Sequence, residues 1–467
     1  MTSRCPDRAA RRALESLVLA FRDGAPPIDA PTPGLRAAVA ALASDGATED
    51  ELGRMVREAD GQREAAPFHL RLRRWRRLGW ISHALTAEGR PLAVVVPMAA
   101  GLVLPADPVA TDARFRLSRF AWCRRDGDAL VLESPLSIAR TVLPGGQGAA
   151  VVGELARPRS ASDLGSGVCG LEEAAARALL TLLACAGAVA PAREDGTLAE
   201  DADPALVQWE FHDLLFHSRS RRGGHDQPSG ATFRFMGQIE PAPAVRPPPP
   251  GPALPLPRPD PARLAADDPP FTAVLEGRRS IREHGRHPIG ARQLGELLHR
   301  AARVRRLTAA DPASGLPYPV TSRPYPSAGG AYDLELYVTV RACADLAAGL
   351  FHYDPLDHAL RRVAWPGQHV DALLREAQAS AGLPEPPQVL VTMASRIQRL
   401  SWKYSGLAYA LALKNAGALM QTMCLVATAM GLAACPLGAG SSDRFAAAAG
   451  TGVAEPPVGE LILGSAP

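Results

Sequence analysis

A proline-rich stretch in the middle of the 467-residue chain is the feature that most limits how it can fold. Residues 241–261 read PAPAVRPPPPGPALPLPRPDP, and 11 of these 21 positions are proline. Proline has no backbone N–H and a fixed φ, so this stretch should be extended polyproline II and cannot lie inside a helix or a central strand. We interpret residues 241–264 as a stiff interdomain linker or an arm on a partner subunit. An SH3-type PxxP ligand is the less favoured alternative.

The composition predicts a folded, water-soluble chain. Hydrophobic residues make up 47% and charged residues 21%, which excludes a collagen, a coiled coil and a largely disordered protein. The 51 basic and 48 acidic residues leave a net charge of +3, too balanced for a protein that coats nucleic acid or an anionic membrane. Only Lys403 and Lys414 are lysines, so a lysine retained in an arginine-rich chain points to a specific need.

The cysteines and the N-terminus favour a cytoplasmic protein. No CxxC pair occurs, and an odd number of scattered cysteines indicates reduced thiols. The apolar run from Leu17 to Phe21 is too short for an export signal, and no stretch is expected to approach a membrane span. The seven cysteines are Cys5, Cys123, Cys169, Cys185, Cys343, Cys424 and Cys435.

Upstream of the prolines, we predict two winged-helix-like regions, residues 1–110 and 111–240, with peptide or partner binding in the second. The pattern around Asp126-Gly127-Asp128 predicts a hairpin, Ala149–Glu154 a short strand, and residues 171–186 a helix. The basic segment Arg71–Arg77 could contact nucleic acid, but neighbouring acids balance it, and a peptide ligand fits better.

Residues 265–467 are predicted to form an α+β domain. Helices are expected near 271–278 and 291–306, and strands at 334–341, 388–393 and 458–463. A long helix over about 405–430 should end at Gly431. Because this helix is apolar nearly all round, it should be buried in a core or a subunit interface.

Three short segments of this domain could carry chemistry. Arg278, Arg279 and Arg282 surround Ser280 in RRSIR, and guanidinium forks next to a hydroxyl suit a phosphate, although a solvated basic loop is the simpler interpretation. Small-residue loops at 326–332 (PSAGGAY) and 435–440 (CPLGAG) let backbone N–H groups approach a flat ligand. No GxGxxG or Walker sequence is present.

Trp402-Lys403-Tyr404 is expected to open the long helix. Lysine and tyrosine can both carry protons, and partial desolvation at a helix N-terminus would make Lys403 a usable base. The alternative is a surface lysine that extends past two aromatic rings.

Taken together, these segments resemble the nitroreductase-like flavoenzymes, in particular the SagB-type dehydrogenases, which oxidise thiazolines and oxazolines in ribosomally made peptides. The resemblance covers about 200 residues and also includes NAGALMQTMCLVATAMGL at 415–432. The upstream stretch WEFHDLLFHSRSRR at 209–222 is similar to one that precedes the catalytic domain in this family. Its His212 and His217 are five apart, so we interpret them as structural or peptide-facing and predict no metal site.

The resemblance implies a C-terminal nitroreductase-like domain with a central, mostly antiparallel sheet flanked by helices. It also implies a homodimer, with the long helix at the interface and FMN bound noncovalently. Lys403 and Tyr404 match the family's proton-transfer pair. The residues implied to bind FMN are Arg278, Arg279, Ser280 and Arg282 at the phosphate and ribityl chain, Pro326, Ser327, Ala328, Gly329 and Gly330 along the ring, and Leu437 and Gly438 on its other side.

The sequence departs from the family pattern in three places. Asp333 stands where relatives often carry proline, and Gly438-Ala439-Gly440 replaces a more common Gly-Gly-Phe. The chain also ends a few residues after its last strand. These departures affect individual cofactor contacts.

The favoured function is FMN-dependent oxidation of peptide azolines to azoles, with oxygen as the reoxidant. The N-terminal 240 residues would bind the leader of the precursor peptide or a cyclodehydratase. One alternative is an NAD(P)H-dependent nitroreductase or flavin reductase, and the other is a non-catalytic peptide-binding or partner-binding scaffold.

Overall fold

A computed structural model of the chain describes residues 6–87, 89–167 and 169–467. Their contacts divide the chain into two units, residues 1–227 (unit 1) and 228–467 (unit 2). Cys5 lies outside the described residues, and the six described cysteines form no disulfide with one another.

Unit 1 combines eight helices and eight strands in its described part. Its helices are α1 (Pro6–Glu15), α2 (Pro33–Ala43), α3 (Glu49–Asp60), α4 (Ala65–Arg77), α5 (Gly146–Glu154), α6 (Ala161–Ser166), α7 (Glu173–Cys185) and α8 (Phe211–Arg219). Its strands are β1 (Val18–Phe21), β2 (Ile81–Ala87), β3 (Arg90–Pro97), β4 (Phe115–Leu117), β5 (Trp122–Asp126), β6 (Ala129–Glu133), β7 (Ala139–Leu143) and β8 (Val189–Pro191).

One antiparallel sheet in the order β1-β2-β3-β7-β6-β5 joins the two predicted N-terminal regions. A single hydrophobic cluster runs through both of them, from Leu17 to Val189. The predicted hairpin is confirmed, with Gly127 at φ 58° in its turn. The predicted strand at Ala149–Glu154 is wrong, because these residues belong to α5, where Val151 is fully buried.

Unit 2 contributes the remaining elements of the described chain. Its helices are α9 (Pro261–Asp267), α10 (Phe271–Gly277), α11 (Ala291–Ala302), α12 (Gln368–Ala381), α13 (Ile397–Ser401), α14 (Ala408–Ala429) and α15 (Ser442–Ala449). Its strands are β9 (Gly230–Ala231), β10 (Ala253–Pro255), β11 (Arg306–Thr308), β12 (Val320–Ser322), β13 (Leu334–Val340), β14 (Gly349–Asp354), β15 (Ala359–Ala364), β16 (Val389–Ser395), β17 (Tyr404–Ser405), β18 (Leu432–Leu437) and β19 (Pro457–Ser465).

The central sheet of unit 2 has the order β10-β15-β14-β13-β16-β19-β18, and every neighbouring pair is antiparallel. Strands β13 and β16 are buried along their whole length, so both faces of the sheet are covered. One hydrophobic cluster includes residues from α11 and α14, and a second includes residues from α12 and α15. Together with the N-terminal helical and winged elements, this confirms the predicted α+β architecture.

The proline-rich stretch is not a free spacer. Ala253–Pro255 forms the edge strand β10 against β15, and Leu256 is buried in the core of unit 2. Arg396 bonds to the carbonyl of Pro243, and Arg399 Nη1 donates to the carbonyl of Ala242 over 2.7 Å. A proline backbone has carbonyls but no N–H groups, so arginine side chains suit its hydrogen-bonding needs.

The long helix α14 begins later than predicted. Gly406 has φ +75° in the left-handed region, so the helix starts at Ala408. Among the described residues, α14 alone has the length and composition of a membrane span, with a mean hydropathy of 1.3, contrary to our expectation that no stretch approaches one. Its Ala416, Leu419 and Met423 belong to the core of unit 2. Its predicted end at Gly431 is confirmed by φ +66° there.

Candidate functional site

The loop at 326–332 has an unusual backbone just before β13. Gly329 and Gly330 have φ values of 57° and 66°, and Tyr332 follows at 44°. The Oγ atom of Ser327 accepts the backbone N–H of Tyr332 over 3.0 Å and closes the loop. Two adjacent left-handed positions explain the paired glycines.

Lys403 reaches this loop through Tyr318, a residue that no motif in the sequence marks as functional. The Nζ of Lys403 donates to Tyr318 Oη over 2.7 Å and to the carbonyl of Gly329 over 3.4 Å. Tyr318 Oη in turn donates to the same carbonyl over 3.0 Å. Tyr318 is buried, with 3% of its surface exposed, whereas Lys403 is half-buried. Lys403 lies between α13 and α14, not in the first turn of the long helix as predicted.

Tyr404 lies at the same point of the loop. A Cβ atom added to Gly329 would collide with the Tyr404 hydroxyl and lie 2.5 Å from Lys403 Nζ. The structure therefore brings the predicted Lys–Tyr pair directly against Gly329 of the predicted ring-binding loop.

An aromatic wall surrounds the ammonium group of Lys403. Its Nζ lies 5.2 Å from the ring centroids of Tyr318 and Tyr404 and 5.9 Å from that of Phe233. The ring of Trp402 packs 5.8 Å from both Phe233 and Tyr318. Each aromatic face attracts the ammonium cation and limits its access to water.

The chain between residues 230 and 239 holds this wall in place. Strand β9 pairs with β17, and the backbone N–H of Phe233 donates to the carbonyl of Lys403 over 3.1 Å. Trp402 Nε1 donates to the carbonyl of Ile239 over 2.6 Å. Because the predicted N-terminal half extends to residue 240, this segment was not predicted to line the site.

Asp333 anchors the loop to the sheet and to α14. Its carboxylate accepts Ser395 Oγ and Asn415 Nδ2, each over 2.6 Å. Asn415 Oδ1 accepts the backbone N–H of Ala328 over 3.0 Å. Burial raises the pKa of Asp333 despite the hydrogen bonds that stabilise its charged form. The departure from proline at this position thus supplies a hydrogen-bonding anchor.

The RRSIR segment lies beside β18 and near a part of α14 that is distant from the Lys403 site. The backbone N–H of Ile281 donates to the carbonyl of Ala434 over 3.0 Å. Arg278 is close enough to Cys424 for its charge to oppose the burial that raises the pKa of this thiol. Cys424 is nine residues after Asn415, or about 13 Å along a helix of 1.5 Å rise.

The RRSIR side chains are available for an anion. Arg279, Ser280 and Arg282 are exposed and Arg278 is half-buried. Within the described ranges, none of the four has a side-chain hydrogen bond or ion pair to the protein. Three uncompensated guanidinium groups and a hydroxyl form a donor set suited to a phosphate.

The end of β18 and the loop after it contain Leu437 and Gly438, the two residues implied on the other side of the ring. Leu437 is 8% exposed and its side chain belongs to the core, whereas Gly438 and Gly440 are exposed. The carboxyl group of Glu460 lies beneath this loop, where a Cβ on Gly440 would be 2.7 Å from its carboxyl carbon. Burial raises the pKa of Glu460 to about 7, and the nearby Glu376 acts in the same direction.

These residues fit FMN. The arginine cluster offers charged donors for the phosphate, and a Cβ at Gly330 or Gly438 would meet no atom within 4 Å, so the backbone is open to a flat ring at both positions. The α14 helix connects the arginine cluster to the Lys403 site.

The only cluster with metal-ligand character in the described chain lies in unit 1. Glu210, His212 and Asp213 are all exposed there. His217 is not part of the group and packs instead against Trp209, with ring centroids 5.6 Å apart. Exposed acidic groups of this kind are common without a metal.

Three family models match the chain in succession. Residues 11–104 match the ThcOx helix-turn-helix domain, residues 115–226 match cyanobactin oxidase ThcOx, and residues 275–464 match the nitroreductase family. The gap between the first two matches contains the predicted boundary at 110/111.

Individual proteins are also similar. A Methanocaldococcus jannaschii protein whose name places it with the nitroreductases is 29% identical over 175 residues, which cover 36% of this chain and 77% of the relative. A Ralstonia eutropha crystal structure named in the same way has 23% identity and a TM-score of 0.36, covering 52% of this chain and 98% of that one. A chain of the E. coli microcin synthetase McbBCD complex, solved with truncated pro-MccB17 bound, has 22% identity and a TM-score of 0.34, covering 42% of this chain and 73% of that one.

Proposed function

We propose that this chain is an FMN-dependent dehydrogenase of peptide azolines. Its C-terminal half belongs to the nitroreductase family and follows two N-terminal regions that match the models of ThcOx cyanobactin oxidase. The observation that carries the proposal is the meeting of Lys403, Tyr404 and Tyr318 at Gly329. Hydride transfer to a nitro group needs no such dedicated lysine–tyrosine pair beside the ring-binding loop, whereas azoline oxidation requires removal of a proton.

Conversion of an azoline to an azole removes one proton and one hydride from adjacent carbons. Bound FMN would supply the two-electron acceptor for the hydride. The carbon between the C=N and the carbonyl bears an acidified proton, which would be accepted by Lys403 as the neutral amine or by Tyr404 as the phenolate. A positioned base of this kind contributes roughly 10²–10⁴ in rate, and aromatisation drives the reaction forward.

The remaining residues position these groups. Tyr318 accepts a hydrogen bond from Lys403 Nζ and fixes it over the loop, while Phe233 and Trp402 restrict water on its other side. Asn415 and Asp333 hold the loop from below. Arg278, Arg279, Ser280 and Arg282 would hold the phosphate and ribityl chain, Pro326 to Gly330 would lie along the ring, and Leu437 and Gly438 would close its other side.

We also propose a homodimer formed through α14. Tyr409, Leu413, Gly417 and Gln421 recur every four residues on one exposed face of this helix, and Tyr409 and Leu413 are 45% and 39% exposed. A row of this spacing lies along one side of a helix, and the glycine permits close approach of a second helix.

The proposed substrate is an azoline-containing precursor peptide in the cytoplasm, and the proposed partners include a cyclodehydratase complex. Support comes from the match of residues 115–226 to the oxidase model ThcOx and from the winged elements of unit 1. The net charge of +3 favours peptide over nucleic acid as the ligand of unit 1.

The first test is the visible absorbance of the purified full chain, followed by identification of the chromophore released on heating. We expect FMN near one per chain, and then loss of two hydrogens per azoline when the protein is incubated with thiazoline and oxazoline peptides in air. Lys403→Ala should abolish this oxidation while it retains FMN, and Lys414→Ala is the matched control.

Two outcomes would favour the alternatives. Rapid NADPH consumption with a nitroaromatic substrate and no azoline oxidation would indicate a nitroreductase or flavin reductase. A colourless protein that takes up no added FMN would indicate a scaffold.

A further inference from the structure

A second cavity with ligand-site properties lies inside unit 1, far along the chain from the Lys403 site. Its volume is about 500 Å³, within the range of small-ligand and side-chain sites. It is lined by residues of α1, α4 and β2 and by the loop at 102–106. The cavity thus lies against α4, which carries the basic segment Arg71–Arg77.

One wall of the cavity is apolar. Leu14, Leu17, Leu102 and Leu104 line it, and Leu17 and Leu102 also belong to the hydrophobic core of unit 1. Val103, which also lines the cavity, is 72% exposed. An apolar side chain of leucine size would be removed from water here without any displacement of charge.

Another part of the cavity wall carries buried polar atoms without partners. His83 is 3% exposed, yet neither of its ring nitrogens has a hydrogen-bond partner in the described chain. The same holds for Arg76 Nε, although Arg76 Nη2 pairs with Glu49 over 2.7 Å. The hydroxyl of Thr181 is already bonded, to the carbonyl of Arg177 and the N–H of Val109. A buried polar atom without a hydrogen-bond partner destabilises the protein, so these atoms favour a ligand that can bond to them.

The unpaired donor and acceptor atoms indicate which hydrogen-bonding groups a ligand of this cavity must carry. Burial lowers the pKa of His83 to about 3, and the charge of Arg76 acts in the same direction, so the imidazole is neutral and has one donor and one acceptor nitrogen. Together with the N–H of Arg76 Nε, the wall offers two donors and one acceptor. A peptide backbone supplies carbonyl oxygens and an N–H group in matching kinds, whereas a free carboxylate has no N–H to donate.

The mouth of the cavity favours a negative charge. Arg73 and Arg77 are exposed there and have no ion pair within the described residues, while Arg76 is compensated by Glu49. Glu15 is the other acid at the rim. Three arginines against two glutamates leave one net positive charge, and the two unpaired guanidinium groups can receive a carboxylate.

We propose that this cavity binds an extended peptide segment in which a leucine-sized apolar side chain enters between Leu14 and Leu102, its backbone bonds to His83 and Arg76, and a neighbouring carboxylate meets Arg73 and Arg77. The proposal rests on the proposed function only in that a peptide is the molecule to be recognised. The segment is a recognition element separate from the azoline that is oxidised.

The test uses fluorescence anisotropy of the labelled peptide acetyl-Ala-Leu-Glu-Ala-amide with the full chain at low salt. Replacement of leucine by serine in the peptide should weaken binding about tenfold or more, because the apolar contact is lost. Replacement of glutamate by glutamine should weaken it about threefold, and added salt should remove this difference. Octanoate tests the alternative source of an apolar anion: if it competes as well as the unlabelled peptide, the peptide assignment is overturned.

Two protein variants test the site. His83→Phe fills the same space without the unsatisfied nitrogens, so it should raise the unfolding temperature while it weakens peptide binding at least fivefold. The Arg73→Gln, Arg77→Gln double variant should lose the preference for glutamate, and Arg71→Gln on the same helix is the matched control. Unchanged peptide affinity in both variants, with intact circular dichroism, would overturn the proposal.

The two proposals fail in different ways. Peptide binding that depends on His83, with no oxidation of any azoline, would leave the cavity assigned and remove the proposed function. Azoline oxidation with no His83-dependent binding would do the reverse.

Discussion

Lys403 Nζ donates a 2.7 Å hydrogen bond to the hydroxyl of Tyr318, a residue 85 positions away in sequence. The same hydroxyl donates to the carbonyl of Gly329 over 3.0 Å, so one buried tyrosine orients the lysine and holds the loop against which it acts. We infer that Tyr318 is a positioning residue. Its ring contacts Trp402 and Phe233 and is needed for packing, whereas its hydroxyl serves Lys403.

Tyr318→Phe separates these two contributions. Phenylalanine keeps the ring contacts and removes only the hydroxyl, so we expect kcat for azoline oxidation to fall about tenfold, part of the roughly 10²–10⁴ that a positioned base contributes. The KM and the FMN content should stay unchanged. Steady-state kinetics with a thiazoline peptide give the kcat and KM values. A fall in FMN content equal to the fall in kcat would instead indicate a structural role.

Gly329→Ala should disable the site by displacing Lys403 and Tyr404. An alanine Cβ would collide with the Tyr404 hydroxyl and lie 2.5 Å from Lys403 Nζ, and a misplacement of about 1 Å can cost roughly 10² in rate. The adjacent Gly330→Ala is the matched control, because Gly330 has a similar positive φ of 66° but no atom within 4 Å of its Cβ position. Both variants therefore carry comparable backbone strain, and kcat should fall much further in Gly329→Ala. Equal kcat values would refute the steric argument.

Arg279→Gln should weaken binding of FMN more than binding of riboflavin. If the guanidinium meets the phosphate, its loss should raise the Kd of FMN about tenfold and leave the affinity for riboflavin, which has no phosphate, almost unchanged. Isothermal titration of the flavin-stripped protein measures both. Arg292→Gln, also exposed, removes the same charge from α11 and serves as the control. If Arg279→Gln raised the Kd of FMN and the Kd of riboflavin equally, Arg279 would not act on the phosphate.

Glu460 should make the fold less stable as the pH rises. Its pKa is about 7 in the folded chain and 4.5 as the ordinary value, so the folded state holds the proton more tightly. The protonated Glu460 therefore contributes to the free energy of unfolding, by an amount on the order of 3 kcal/mol. This contribution is fully present below about pH 4.5 and is lost as the pH rises through about 7. Glu460→Gln should remove this dependence and raise the unfolding temperature at pH 8 but hardly at pH 5. Glu283→Gln, at an exposed position, should change neither, and melting curves at the two pH values give the answer.

Local sequence signals predicted the elements whose cause is local. The helix end at Gly431 and the hairpin at Gly127 were predicted from a glycine together with its neighbours, a long apolar helical run before Gly431 and two alternating runs around Gly127, and both glycines have positive φ. The prediction of a strand at Ala149–Glu154 was wrong because a short apolar run with two valines is compatible with either a buried strand or a helix. Its place in α5 depends on burial of Val151 in a core assembled from distant segments.

The predicted site residues were those with a motif around them, and the missed ones act through tertiary contacts. Phe233 meets Lys403 because β9 pairs with β17 across more than 170 positions of sequence, and Asn415 meets Asp333 across 82. No spacing rule connects such positions. Lys403 itself was placed at a helix start because a left-handed Gly406 between it and Ala408 cannot be distinguished from an ordinary glycine by sequence alone.

Trp402, Arg396 and Arg399 donate hydrogen bonds to the chain at 239–243, so a fragment that keeps the Lys403 site intact must begin before residue 239. Cleavage or expression from residue 265, the start suggested by the proline content, would strip three carbonyl acceptors from the residues flanking Lys403 and remove the strand that holds Ser405. A fragment that starts at residue 228 keeps all of them. The segment at 239–243, which has the composition of a linker, therefore supports the residues that flank Lys403. A fragment that starts at residue 265 would lack that support.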